Sequence, residues 1–183
     1  MNAEYITSRK NPLMTQIRRL TASRSHRREQ GLFLGDGGKL LEEALKWHAP
    51  LETVVLTEGV QVPALPDEVR LVQVPGDVMA SISPMDSPQG ALFLCRMGET
   101  APPETLPGLD GVQDPGNVGT IWRTADALGA DGLILVNGCA DPWNPKTVRA
   151  TMGACFRLPV YETGSDGLAR WLGEQGLPLY ATA

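Results

Sequence analysis

The amino-acid sequence predicts an α/β fold arranged as two successive units. Short apolar runs of strand character alternate with amphipathic helical stretches along the chain. Hydrophobic residues make up 42% and charged residues 20% of the 183, the balance of a folded globular chain rather than a disordered one. The alternation breaks between Gly98 and Gly108, where Pro102, Pro103 and Pro107 fall in a stretch with no periodicity that reads as a linker. The predicted division is a first unit over 1–97, a linker over 98–108 and a second unit over 109–183.

In the first unit, Leu13, Ile17 and Leu20 recur at helical spacing behind Pro12, predicting one basic amphipathic helix from Asn11 to about Gln30. Leu32 to Leu34 reads as a strand, Gly35 to Gly38 as a turn, and Lys39 to Trp47 as a helix whose inner face is Leu40, Leu41, Ala44 and Leu45. Strands follow at Thr53 to Thr57, Arg70 to Val74 and Ala91 to Cys95, with a short helix near Asp77 to Ser81. The second unit opens with a strand near Leu109, a turn at Asp114 to Gly116 and a helix from Asn117 to Leu128, with Asn117 as a candidate cap. It continues through the strand Gly132 to Val136, a helix from Pro145 to about Cys155 and the strand Leu158 to Tyr161. A helix from Gly167 to Gln175 and a strand from Pro178 to Ala181 complete it.

Composition excludes several classes. No stretch approaches the roughly 18 consecutive apolar residues of a membrane span, and no apolar signal core stands at the N-terminus, so a cytoplasmic protein is expected. Cys95, Cys139 and Cys155 lie far apart without metal-ligand spacing, so they are expected to be reduced and structural, with no metal site. The Gly35 to Lys39 turn is not a phosphate-binding loop, because Phe33 and Leu40 stand where that motif needs glycine and a hydroxyl residue.

The net charge of -5 conceals a division. Residues 1–28 carry seven basic residues (Arg9, Lys10, Arg18, Arg19, Arg24, Arg27, Arg28) against Glu4 alone, whereas the remainder is strongly acidic. A basic arm on an acidic body suits a polyanionic partner, since each Lys or Arg that meets a phosphate releases a condensed counterion. A solvated helix face that binds nothing is the alternative on charge alone.

Two segments are dense in polar groups and glycine. Leu109 to Ala125 runs strand, Gly-Pro turn, helix, which sets Asn117 and Arg123 at the carboxyl edge of a sheet, where open α/β folds bind ligands. Six residues separate these two, so they do not share one strict helix face. Asn144 to Val160 begins with Asn-Pro, a strong helix start, and places Lys146 and Arg149 on one face where they could hold phosphate. Ala150, Gly153 and Ala154 keep that helix slim, as a close protein interface would need.

At these segments the chain resembles the SpoU class of RNA ribose methyltransferases of the SPOUT superfamily. The resemblance rests on Asp114-Pro115-Gly116-Asn117-Val118-Gly119 through Arg123-Thr124-Ala125, and on Asn144-Pro145-Lys146 through Arg149-Ala150, Gly153-Ala154 and Phe156-Arg157-Leu158-Pro159-Val160. Ile6 to Pro12, Gly31 to Leu34, Lys39 and Ser87 to Gly90 resemble the small RNA-recognition domain that many members carry in front. Gly35 and Asp36 depart from it, since the pattern has a bulkier residue and Glu at these positions.

The resemblance implies transfer of a methyl group from S-adenosylmethionine to a ribose 2'-hydroxyl of ribosomal or transfer RNA, in a homodimer. Asn117 and Arg123 fall on the catalytic positions, and Arg9, Lys10, Arg18, Arg19, Arg27, Arg28, Lys146 and Arg149 are the expected RNA-binding residues. Members continue past a strand like Pro178 to Thr182 into a Gly-Glu-Gly loop and a Ser-Leu-Asn segment that form a knot and hold the donor. The cofactor-binding residues are therefore expected beyond Ala183, and the 183-residue chain is expected to hold only the first part of the α/β-knot domain and to be inactive. The alternative is a non-catalytic RNA-binding protein derived from the same family.

Overall fold

The computed structural model describes residues 3–98 and 108–179. The first part of the chain contributes β1 (Glu4–Tyr5), α1 (Pro12–Ala22), α2 (Arg24–Gln30), β2 (Leu32–Asp36), α3 (Gly38–Lys46), β3 (Leu51–Thr57), β4 (Arg70–Val74), α4 (Gly76–Ala80) and β5 (Ala91–Arg96). The second part contributes β6 (Gly108–Asp110), α5 (Pro115–Ala127), β7 (Leu133–Val136), α6 (Pro145–Ala150), β8 (Val160–Thr163) and α7 (Ser165–Gln175), with a 3-10 turn at Ala154–Phe156.

Five strands form a mixed sheet in the order β1-β4-β3-β5-β2, and three form a parallel sheet in the order β6-β7-β8. The parallel sheet is what strand-helix-strand connections produce, and β7 is buried along its whole length. The linker predicted over 98–108 and the strand predicted over 178–181 fall largely outside the described residues.

The two sheets are joined by one apolar core. Phe33 of β2 stacks on Trp143 with ring centroids 4.7 Å apart, and Phe156 approaches both Phe33 and Phe93 at 6.3 Å. Trp122 of α5 is fully buried in the same cluster, and its indole N–H donates to the Leu158 carbonyl at 3.0 Å. A second cluster, with Met14, Ile17 and Leu20 of α1 at its centre, covers the other face of the five-stranded sheet.

Several expected elements are placed differently. The single basic helix is two, because Ser23 leaves the helical conformation and caps α2 by accepting the His26 N–H at 3.1 Å. The expected turn at Gly35 is strand instead. A Cβ on Gly35 would stand 2.1 Å from the Phe93 ring, so glycine is what lets the neighbouring strand pack its aromatic there. Asp114, and not Asn117, caps α5: its Oδ1 accepts the Asn117 N–H at 2.9 Å, with Pro115 at the first helical position. The helix expected to reach Cys155 stops at Ala150, since Met152 (φ 51) and Gly153 (φ 92) turn left-handed.

Candidate RNA-modifying site

The site is built where α5 and α6 begin. Asp114 holds the first turn of α5 and also receives Lys146 Nζ at 3.1 Å, which ties the start of α6 to the start of α5. The backbone N–H of Asn117, followed by Lys146, holds the Asp114 carboxyl below the usual carboxylate range. Asn144 caps α6 in the same way, its Oδ1 accepting the Lys146 N–H at 2.9 Å. Gly119 makes the close crossing of the two helices possible, because a Cβ there would lie 2.5 Å from the Thr147 carbonyl and 2.6 Å from Ala150 Cβ. Thr147 is fully buried and anchors α6 by donating to the Asp141 carbonyl at 3.0 Å.

Asn117 in the first turn of α5 and Arg123 further along it are both exposed, about 120° apart around the helix axis by the 3.6-residue period. Neither side chain has a hydrogen-bond or ion-pair partner among the described residues. At the carboxyl end of the parallel sheet, Asn137 (φ 36) donates to Asp110 at 3.3 Å and to Ser165, and accepts the Ser165 N–H at 3.1 Å. One side chain thus locks the ends of β6 and β7 to the start of α7. Beside it lies a cavity of about 270 Å³ lined by Leu135, Gly138 and Cys139 and reached by Arg24.

The basic residues divide sharply. Arg27 is corrected as an RNA-binding candidate: it is 3% exposed, and its Nη2 donates to Asp141 at 2.5 Å and its Nη1 to the Leu20 carbonyl at 2.5 Å. Asp141 is itself buried, so this ion pair holds α2 of the first part to the second. Arg24 bonds Glu162 at 2.6 Å, and Arg28 pairs with Glu162 and lies 3.7 Å from Asp141. Burial lowers the Arg28 guanidinium against the opposing pull of Asp141. Arg9 pairs with Asp77 at 2.7 Å, and Arg18 donates to the Arg9 carbonyl at 2.7 Å. Lys10, Arg19, Lys146 and Arg149 are exposed.

The slim residues of the second segment also have a different use from that expected. Ala150 receives Gly119 of α5, and a Cβ on Gly153 would meet Glu43 Cβ of α3 at 2.9 Å, so both close approaches lie within the chain. Sequence reasoning missed Arg157, which bonds Asp126 through Nε and Nη2 at 2.9 and 2.6 Å and Glu43 through Nη1 at 2.8 Å. Its hydrogen bond to Asp126 is the main cause that raises this guanidinium above its ordinary value. Burial pushes the Cys155 thiol up to about 12 and Cys95 higher still, which keeps both thiols protonated and inert at neutral pH.

Comparison with known proteins gives this arrangement a family. The model of the SpoU rRNA Methylase family matches residues 108–183, and that of the MRM3-like substrate binding domain matches residues 11–92. The 23S rRNA (guanosine(2553)-2'-O)-methyltransferase RlmP of Bacillus subtilis is 32% identical over 183 residues, covering 98% of this chain and 73% of that protein. The human mitochondrial rRNA methyltransferase 3 is 32% identical over 162 residues, 80% of this chain and 39% of that protein. Among solved structures, the AdoMet-bound rRNA methyltransferase from Sinorhizobium meliloti superposes with a TM-score of 0.80 at 33% identity, covering 94% of this chain and 69% of that one. The chain belongs to the SpoU rRNA methylase family.

That neighbour holds S-adenosylmethionine. The turn after β7 exposes backbone at Gly138 (φ 72), with no side chain to obstruct it, beside the apolar Leu135 and Cys139. The residues fit a ligand approaching the strand ends, as open α/β sheets do.

Proposed function

We propose that this protein is an RNA 2'-O-ribose methyltransferase acting on ribosomal RNA, with Asn117 and Arg123 at the reacting hydroxyl. The observation that carries this reading is the two exposed, unpartnered polar side chains on α5, whose first turn Lys146 of α6 joins through Asp114, in a SpoU-family chain. S-adenosylmethionine, when bound against the Leu135 to Cys139 turn, supplies a methyl group on a positively charged sulfur.

A guanidinium is almost always charged, so Arg123 acts through its charge and its N–H donors rather than as a base. It stabilises negative charge that develops on the ribose oxygen and holds the adjacent phosphate. Asn117 orients the hydroxyl and Arg149 holds a neighbouring phosphate, with Lys10, Arg18 and Arg19 extending the contact along the first part, whereas Arg9, Arg28 and Lys146 are already engaged by Asp77, Glu162 and Asp114.

The functional division follows the predicted one, with RNA recognition in 1–97 and the methyltransferase unit in 109–183. Two separate sheets and two family matches support it. Homodimerisation through the second unit remains part of the proposal on different grounds from the slim helix. Leu128 is 82% and Leu179 67% exposed, and α7 buries no residue fully, so apolar side chains of the second unit are available to a second copy. Cytoplasmic residence belongs to the same reading, as the place where ribosomal RNA would be met; no helix among the described residues is long and apolar enough to cross a membrane.

Transfer of radiolabelled methyl from S-adenosylmethionine to 23S ribosomal RNA tests the proposal. Asn117→Ala and Arg123→Ala should each lower transfer about a hundredfold or more with an unchanged circular dichroism spectrum. Binding of RNA by the unaltered protein without any transfer would favour the non-catalytic reading instead.

A further inference from the structure

Where β2 ends, the chain of the first part meets α6 of the second across an open groove of about 630 Å³, a size within the roughly 300–1,000 Å³ of small-molecule sites. A smaller cavity of about 230 Å³ adjoins it, and Asp36, Met85 and Arg149 line both. The smaller one ends at Lys146, which bonds Asp114 in the turn just before Asn117. A strand of RNA with its reacting ribose at Asn117 therefore has a path that leads into this groove.

Besides the exposed carboxylate of Glu42 and the amide of Gln89, the groove carries three kinds of group. Leu40, Met85 and Met152 are apolar, and Met152 is 54% exposed, held outward by its left-handed backbone. Lys39 and Arg149 are exposed cations with no ion pair among the described residues. Arg157, by contrast, is shared between Glu43 and Asp126. The third is Asp36, 8% exposed at the end of β2, whose Oδ2 accepts the Ser83 hydroxyl at 3.0 Å. Burial raises its carboxyl, opposed by Ser83 and by the charge of Arg149.

A buried carboxylate facing a groove has acceptors and no donors. On the Watson–Crick edges of the four RNA bases, only guanine offers two adjacent donors, the ring N1–H and the 2-amino group. Adenine and cytosine set one amino group beside an acceptor, and uracil sets one N–H between two acceptors. We propose that the groove holds one unpaired guanine nucleotide of the substrate RNA, next to the residue that is methylated. Its N1–H and 2-amino group donate to Asp36, and its flanking phosphates rest on Arg149 and Lys39. This rests on the reading of the protein as an RNA methyltransferase. Two donors aimed at the carboxyl favour its ionised form, which offsets its burial, and the base covers the thioether of Met85 and the face of Leu40.

Fluorescence anisotropy with the full chain and 5'-labelled single-stranded pentaribonucleotides tests the assignment. The central base is guanine, adenine or hypoxanthine between uridines. The guanine oligomer should bind about tenfold or more tightly than the adenine oligomer, with hypoxanthine, which keeps N1–H and loses the amino group, between them. Asp36→Asn should abolish the preference while the adenine oligomer binds as before. Lys39→Ala should weaken all three oligomers alike and lower the salt dependence. Equal binding of guanine and adenine, or a preference that survives Asp36→Asn, would overturn the guanine site and leave the RNA reading standing. Failure to bind any of the oligomers or ribosomal RNA would overturn both.

Discussion

Arg27→Ala is the sharpest test of how the two parts are held together. The side chain makes two bonds to Asp141 Oδ2, at 3.0 and 2.5 Å, and two to the carbonyls of Leu20 and Thr21, at 2.5 and 3.2 Å. Alanine leaves Asp141 buried without its main partner, and removing one member of a buried pair costs about 3–5 kcal/mol. Asp141 keeps Arg28 at 3.7 Å and Arg24 at 4.0 Å, and its Oδ1 still accepts the Trp143 N–H at 3.2 Å. These partners place the loss at the low end, about 3 kcal/mol. For a chain of this size that corresponds to about 6–12 °C in melting temperature. Because one apolar cluster contains residues of both sheets, the loss should register in a single transition followed by circular dichroism. Adding Asp141→Asn to Arg27→Ala should recover part of it, since the stranded charge is then gone, and the cycle measures the coupling. A loss below about 1 kcal/mol, the size of an exposed pair, would refute the reasoning by showing that water screens the bridge.

Other consequences can be measured directly. Gly119→Ala places a Cβ 2.5 Å from the Thr147 carbonyl and should cost about 1–3 kcal/mol in urea unfolding despite the better helix propensity of alanine. Asp36 has a folded pKa above its unfolded value, so ionisation weakens the fold. Asp36→Asn should therefore raise the melting temperature at pH 7, with an advantage that fades as pH falls through the folded pKa into the ordinary carboxylate range. Replacing Lys10, Arg18 and Arg19 together with alanine should flatten the slope of log affinity for RNA against log salt by about two units. Arg27→Ala, measured below its melting temperature, should leave that slope unchanged.

The fold was legible where a local rule acts alone. Asn11-Pro12 and Asn144-Pro145 announce helix starts, and both are observed as cap and first position. The same rule applies at Asp114-Pro115, where the sequence alone offers Asn117 as the cap; proline at the first helical position decides for Asp114, because its missing N–H is one the helix does not need. Gly153 carried a similar signal as a helix terminator, and the apolar run through Cys155 masked it. Pro159, whose carbonyl accepts the Leu133 N–H, precedes β8 and moves that strand two residues beyond its predicted start. The candidate site was legible only in part. Asn117, Arg123, Lys146 and Arg149 stand out by residue type near a turn. The roles of Asp36 and Arg157 depend on packing between distant segments, with Glu43 and Arg157 separated by 114 positions.

Charge is where local reading and tertiary structure diverge most, and the divergence relocates the RNA surface. A basic arm read along the sequence counts all seven cations of residues 1–28 equally. In the fold, Arg24, Arg27 and Arg28 turn inward to Asp141 and Glu162, carboxylates from the acidic second part, so much of the apparent asymmetry is an internal contact. A cation already paired releases little counterion when a phosphate arrives, because binding would first have to break the pair. Cations without an ion pair among the described residues include Lys10 just before α1, Arg18 and Arg19 on it, Lys39 at the start of α3, Arg149 on α6 and Arg123 on α5. They come from both parts of the chain, so an RNA surface made of them, as proposed, requires the two parts to be held in one arrangement. The buried Arg27 instead holds α2 to Asp141, which fixes how those cations are set relative to one another.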